Sequence, residues 1–381
     1  MGWRDYLRHL DYLLLATTIG LIAYGVSMVY FATSGDVSGR PLYFVGQQLI
    51  ATVVGVIAAV VMSALDYDLY RRFQWPMYAL ALILVVVVLP LGEVVNGARR
   101  WIDLGFTSFQ PSAAALLLLA LSIGAYLADR MDRLGSRRVT VVALALVALP
   151  ALVVYQEPDF GSAMVLVMLT LAMLYFYGTS WTHFAVLAGS GLTAFVLALK
   201  VLPLAGIELI KSYQIDRLFV FLNAGHDPSG SGYNIIQSTI AVGSGALTGR
   251  GDMATQTALD FLPEHHTDFI FAVISERNGF VGAALLMALY GLFIWRALRI
   301  ATLARDMYGS ILAGGIAAMV LFQVFVNIGM TIGIMPVTGI PLPFVSYGGT
   351  AMIAFLMLVG LLESIHLRAT RTPTDRGRLG H

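Results

Sequence analysis

The sequence predicts an all-α polytopic integral membrane protein with ten transmembrane helices. Three observations carry that expectation. First, 58% of the 381 residues are hydrophobic and only 12% are charged, whereas soluble domains carry about 25% charged residues. Second, ten apolar runs reach the length needed to cross a bilayer. Third, arginine and lysine gather in alternate loops, as cytoplasmic segments require. The absence of cysteine excludes disulfides, thiolate catalysis and cysteine metal sites. A net charge of +1 gives no nucleic-acid signal. The chain shows no simple repeat or low-complexity tract, so residues 1–381 are read as a single transmembrane domain.

The ten runs lie near 11–32, 43–65, 75–92, 112–128, 139–155, 162–178, 183–202, 269–295, 309–332 and 344–366. Arg4 and Arg8 precede a first run of about 20 residues, long enough to span and too long for a cleavable leader. With the amino terminus inside, inner loops and tails hold fifteen of the 23 basic residues. Ten spans return the carboxyl terminus to the same side, so both tails are expected in the cytoplasm. Residues 203–267, between spans seven and eight, become one long outer loop. Ile235, Ile236, Ile240, Val242 and Leu247 recur within it, and glycines break it up. It reads as interfacial helices and re-entrant turns at the outer mouth of the bundle.

Polar motifs gather on that outer side. Pro263 suits the first turn of a helix, and Asp268 then stands at the start of the eighth span, where the helix dipole favours a carboxylate. A charged group at a membrane boundary is a functional candidate by default. Arg99 and Arg100 beside Trp101 can clamp a phosphate or a sugar face, or anchor the loop at headgroup depth. Asp159, in Glu157-Pro-Asp159-Phe-Gly-Ser162, is placed to cap the sixth span. Glycines 230–251 offer anion-binding turns or a flexible linker. Pro336 to Gly349, with three prolines and two adjacent glycines, reads as a packed non-helical turn lining a cavity or as the end of a helix.

Six of these motifs, in order, resemble the SEDS family of peptidoglycan polymerases, the RodA and FtsW proteins. They are NGARRW at 96–101, FQPS at 109–112, EPDFGSA at 157–163, GYNIIQS at 232–238, FLPEHHTDFIFAV at 261–273 and PVTGIPLPFVSYGG at 336–349. The last is more similar to the RodA (elongation) form than to the FtsW (division) form. The resemblance implies the SEDS fold in a bacterial cytoplasmic (inner) membrane, with a central cavity open to the outer face and to lipid. It implies a glycosyltransferase polymerising lipid II, with Asp268 catalytic and a class B penicillin-binding protein as partner.

An inverting transfer needs one displacement and one general base, not two catalytic carboxylates. Asp268 takes that role. Arg99, Arg100, Arg217 and Arg250 are expected to hold the pyrophosphate. Glu157, Asp159, Gln237, Glu264, His265 and Ser346 complete the expected substrate-binding set. A divalent cation, Mg or Mn, can share the pyrophosphate, but no ligand spacing specifies one. His265 and His266 are adjacent, and neighbours on a helix face different ways. A lipid II transporter, an FtsW-like division polymerase and a non-enzymatic scaffold remain the alternatives. The chain departs from the family pattern at Ala113 and Leu116, where a Glu and a Lys are usual, at Glu276-Arg277, where two acids are usual, and at 251–256, which lacks a usual glycine.

Overall fold

The computed structural model describes residues 3–34, 41–95, 98–103, 105, 108–201, 220–221, 231–254 and 261–370. After a short amphipathic start, α1 (Trp3–Arg8), the spans are α2 (Tyr12–Thr33), α3 (Tyr43–Ala64), α5 (Gln74–Leu91), α6 (Pro111–Ala128) and α7 (Arg137–Gln156). They continue with α8 (Phe160–Tyr177), α9 (Trp181–Val196, prolonged by a π-helical turn to Val201), α11 (Ile270–Leu303), α12 (Met307–Thr331) and α13 (Gly349–Ala369). Two shorter helices, α4 (Asp68–Arg72) and α10 (Ser231–Ser244), connect spans. Among the described residues ten helices are long and apolar enough to cross a membrane. The protein is therefore a multi-pass membrane protein.

Burial sorts these helices into layers. Helices α6, α12 and α13 form the centre, while no residue of α9 is buried. An apolar helix exposed on all sides suits a lipid-facing position. At the end opposite the cavity described below, Asp11 caps α2 by accepting from the Leu14 N–H at 3.1 Å. Its carboxylate also pairs with Arg296 of α11, and its own N–H donates to Glu363 of α13 at 3.0 Å. One acidic residue thus ties three spans together at their ends.

The loop expected over 93–111 instead contains three short antiparallel strands, β1 (Glu93–Val95), β2 (Ala98–Asp103) and β3 (Ser108–Phe109). Side chains alternate along a strand. Arg99 and Arg100 consequently point apart, so they do not form the paired clamp that their adjacency suggested.

The eighth span is also revised. Residues 270–303 are not one continuous helix, because Gly279 adopts φ 63°, ψ −161°, a conformation open to glycine. The chain makes a short buried helix over 270–278 and then a long one over 280–303, whose first residues, Phe280 and Val281, are exposed and apolar. The long, outward-exposed part of the span therefore begins at Phe280, after the break. Within a membrane, backbone groups freed by such a break must be satisfied by protein. The segment after α10 does this: Phe280 and Val281 donate to the carbonyls of Ala246 and Leu247 at 2.9 and 3.1 Å, and the Arg250 N–H donates to the Glu276 carbonyl at 2.8 Å. The sequence pattern concealed the break, since one glycine in an apolar run is compatible with a helix.

The fit around this break is tight. An added Cβ at Gly245 would run into the Ser275 carbonyl, whereas one at Gly243 meets nothing within 4 Å. Gly245→Ala is expected to destabilise the protein by about 1–3 kcal/mol through overpacking. Gly243→Ala, within α10, should be neutral or stabilising by up to about 1 kcal/mol. Thermal unfolding in detergent of the two variants beside the parent measures the difference; equal unfolding temperatures contradict the packing described.

Candidate active site

A cavity of about 370 Å³ lies at one end of the bundle, walled by the starts of α6, α8 and α13, by 264–269 and by 337–341. Asp268 lines it. The residue precedes α11 and lies in a turn rather than in a helix, as does Pro263. Its place is fixed by a set of straps to the proline-rich segment. Asn327, fully buried on α12, donates its Nδ2 to both the Asp268 carbonyl (2.8 Å) and the Ile340 carbonyl (2.7 Å). Ser346 donates to the Thr267 carbonyl at 2.6 Å and accepts from the Leu342 N–H at 2.9 Å. The Tyr347 N–H reaches the His266 carbonyl at 3.0 Å. Gln48 of α3 adds two bonds, to Ser346 O and from Gly348 N.

Two glycines allow the parts to approach. A Cβ at Gly339, where φ is +72°, would stand 3.2 Å from Asp268 Oδ2. A Cβ at Gly161 would come 2.8 Å from the Thr338 carbonyl, so the start of α8 presses on the same turn. The non-helical 336–348 segment is thus a buried cavity wall.

Asp159 caps α8, accepting from the Ser162 N–H at 3.0 Å and its hydroxyl at 2.7 Å, and it lines the cavity too. Gln110 donates to the same Oδ2 that takes the Ser162 hydroxyl, at 3.4 Å. Arg100 enters the cavity and donates to the Pro158 carbonyl. Glu264 lines the wall and accepts from the Thr267 hydroxyl at 2.9 Å. Asp268, Asp159, Glu264 and Arg100 therefore converge on one space.

The other expected site residues lie elsewhere. Arg99 is exposed and donates to the Leu89 carbonyl at 3.2 Å. Gln237 lies on α10 and Arg250 is exposed beside the α11 break, neither in the cavity wall. His265 is buried, its Nδ1 2.8 Å from the Leu262 carbonyl and its Nε2 2.9 Å from the Ala32 carbonyl, which makes it a strut between the turn and α2. Ser346 is a strap rather than a lining residue. Arg217 lies outside the described residues. Glu157 is buried behind the wall at 1% exposure. Sequence reading missed Gln323, which lines the cavity from α12; its signal was a lone amide in an apolar run.

The fold is a bundle of membrane-spanning helices with a polar cavity at one end, walled by carboxylates, a guanidinium and amides. The family described as "Cell cycle protein", FtsW/RodA/SpoVE, matches residues 10–371. The chain belongs to that family. It is 39% identical over 359 residues to the peptidoglycan glycosyltransferase MrdB of Escherichia coli K12, covering 94% of each chain. It is 38% identical to stage V sporulation protein E of Bacillus subtilis, covering 93% of this chain and 96% of that one. Among solved structures it is similar to a chain described under "Structural coordination of polymerization and crosslinking by a peptidoglycan synthase complex", with TM-score 0.78, 30% identity and coverage of 95% and 99%. It is also similar to the rod shape determining protein RodA of Thermus thermophilus, with TM-score 0.69, 27% identity and coverage of 95% and 98%.

Burial pushes the Glu157 carboxyl up to about 8; Asp159 adds to the rise and Arg100 opposes it. Among the described residues neither of its oxygens has a hydrogen-bond partner. A carboxyl whose folded pKa is raised favours the fold when protonated. Its stabilising contribution is full below the unfolded value near 4.5 and is lost as pH rises through about 8. Glu157→Gln is therefore expected to flatten the fall of unfolding temperature between pH 5 and pH 9, with its largest gain over the parent at the alkaline end. An unchanged pH profile would show that Glu157 is solvated.

Proposed function

We propose that the protein is an inverting peptidoglycan glycosyltransferase that polymerises lipid II into glycan strands for cell elongation and shape. The observation that supports this reading most is Asp268, held through its backbone by Asn327 while its side chain lines the cavity. General-base catalysis needs a carboxylate in fixed geometry beside the acceptor hydroxyl. In this reading Asp268 takes the proton of the acceptor 4-hydroxyl as that oxygen attacks the donor's anomeric carbon. The bond to undecaprenyl pyrophosphate breaks with inversion, and the pyrophosphate leaves. Arg100 faces the leaving group, supplying the charge-assisted bonds that an anion needs. The family membership and the relatives named as peptidoglycan glycosyltransferases support the same reading.

Among the described residues no three of His, Asp or Glu are placed to hold a metal ion. A divalent cation, Mg or Mn, enters this reading only with the substrate's pyrophosphate, and no step depends on it. A class B penicillin-binding protein is the proposed partner, consistent with the synthase-complex neighbour. The 337–343 sequence favours the elongation role over an FtsW-like division role. The gathering of acids and Arg100 at one end of the bundle favours polymerisation over a lipid II flippase, which needs polar groups along a path.

Asp268→Asn should fold and bind lipid II yet polymerise it about 10²–10⁴-fold more slowly, the usual loss of a general base. Binding and strand formation measured on one preparation, with a transpeptidase-dead partner present, separate these effects. Polymerisation at the parental rate would make Asp268 structural. We also place the cavity end outside the cytoplasmic membrane and both termini inside. A compartment reporter fused after His381 is expected to report cytoplasm, and one inserted near Asp227 the outer side; the opposite result at either site reverses the orientation.

A further inference from the structure

Three rings stand together beside the turn that carries Asp268, and the reaction as described uses none of them. Phe44 of α3 meets Tyr347 edge to face, with ring centres 5.1 Å apart and planes at 90°. His266 packs against both, 5.1 Å from Phe44 and 5.7 Å from Tyr347. The backbone is fastened at the same place. The Tyr347 N–H donates to the His266 carbonyl at 3.0 Å, and the Gly348 N–H donates to Gln48 Oε1 at 3.1 Å. Of the three rings only Tyr347 lines the cavity, and it is only partly buried. Phe44 and His266 therefore back the Tyr347 ring from outside the wall, and its uncovered surface belongs to the cavity. A ring that served packing alone would be covered on all sides.

The surroundings specify what would lie on that ring. Glu264, Thr267 and Asp268 line the same part of the cavity, on the turn to which Tyr347 is tied. A ligand there meets one flat apolar surface and several polar groups. A polyprenyl chain would cover the ring but cut the polar groups off from water without replacing their hydrogen bonds. A phosphate would face two carboxyl groups of its own sign. A pyranose ring fits both surfaces. Its C–H groups, slightly positive, rest on the negative face of the aromatic ring, and the hydroxyls around its rim bond the polar side chains.

We propose that Tyr347 is a substrate-binding shelf on which a sugar ring of the lipid-linked substrate stacks, with the hydroxyl rim of that sugar turned toward Asp268. The shelf rests on the glycosyltransferase reading above. A tyrosine ring has two side-chain torsions, and here Phe44 and His266 hold the ring before the sugar arrives, so little freedom is lost on binding.

The test uses the full-length protein in nanodiscs and two lipids: lipid II, and undecaprenyl pyrophosphate, which has the same tail and pyrophosphate but no sugar. Tyr347→Leu is expected to bind lipid II about three- to tenfold more weakly than the parent, the usual worth of an aromatic contact. Its affinity for undecaprenyl pyrophosphate should equal the parent's. Tyr347→Phe keeps the ring and should bind lipid II within about twofold of the parent. A structural role would weaken both lipids alike in Tyr347→Leu, and that result overturns the proposal; so does parental lipid II binding by that variant. Fluorotyrosine placed at position 347 of the otherwise unchanged protein gives a reading that does not depend on the leucine variant folding. Its fluorine resonance should shift with lipid II and not with undecaprenyl pyrophosphate, and an equal response to the two lipids also overturns the shelf. Strand formation is measured on the same preparations. A parent that binds lipid II with this sugar-dependent response yet makes no strands overturns the glycosyltransferase reading and leaves the shelf standing.

Discussion

Asn327 joins the two halves of the site. Its side-chain amide donates to the carbonyls of Asp268 and Ile340 at once. Both segments it joins are irregular, and the local turns within each leave the Asp268 and Ile340 carbonyls to the Asn327 amide. At membrane depth such backbone survives only where protein supplies the missing bonds. Ser346, the Tyr347 N–H and Gln48 extend the same clasp. The backbone of Asp268 is held in this way, and its side chain lines the cavity. Loss of the Asn327 amide strands two buried carbonyls, and an unsatisfied buried carbonyl costs about 1–3 kcal/mol.

A second irregularity sets the direction of approach. Because α11 breaks at Gly279, the residues after Asp268 form a short buried helix. That helix does not continue the lipid-facing axis of 280–303. Segment 245–250 fills the break, and Gly245, Gly249 and Gly279 bring the two backbones into contact that side chains would prevent. Residues 245–250 of the expected outer loop thus wedge against the short helix that follows Asp268. The turn carrying Asp268 leads into that helix, and Asp268 lines the same cavity as Asp159 and Arg100.

Much of this was legible in the sequence, for identifiable reasons. Ten spans follow from apolar run length alone, and nine of the runs correspond to single helices within a few residues. Asp159 as a helix cap follows from the local Asp-Phe-Gly-Ser spacing. Asp268 stands out as a charged group at the start of an apolar run, and the family resemblance gives it the catalytic role. What failed depended on long-range pairing. Adjacency suggested that Arg99 and Arg100 act together, but a strand, unlike a loop, sends neighbours apart. His265 looked like a site residue because it adjoins Asp268, yet carbonyls from 233 residues away in chain order and from its own turn take up its ring. Gln323 went unnoticed because an isolated amide inside an apolar helix carries no pattern. Its meaning depends on which way the helix is turned, and that is decided by packing against α6 and α8.

The cavity's electrostatics follow from the same arrangement. Four ionisable side chains, Arg100, Asp159, Glu264 and Asp268, share the wall with apolar residues of α6, α8 and α13. Three of the four are acids, and a fourth carboxyl, Glu157, lies behind Asp159. A buried carboxyl beside another acid favours its neutral form, and Glu157 is raised for that reason as well as by burial. A neutral Glu157 leaves the Arg100 charge less compensated than the count of nearby acids implies. The single guanidinium then faces the cavity with more of its field available to an anionic substrate. Arg100 is the one cation among these four lining residues, and Asp159 is engaged by the Ser162 N–H and hydroxyl. In the proposed glycosyltransferase reading Arg100 on β2 takes the anion and Asp268 on the 264–269 turn takes the proton, so the two tasks fall to separate elements of one cavity wall.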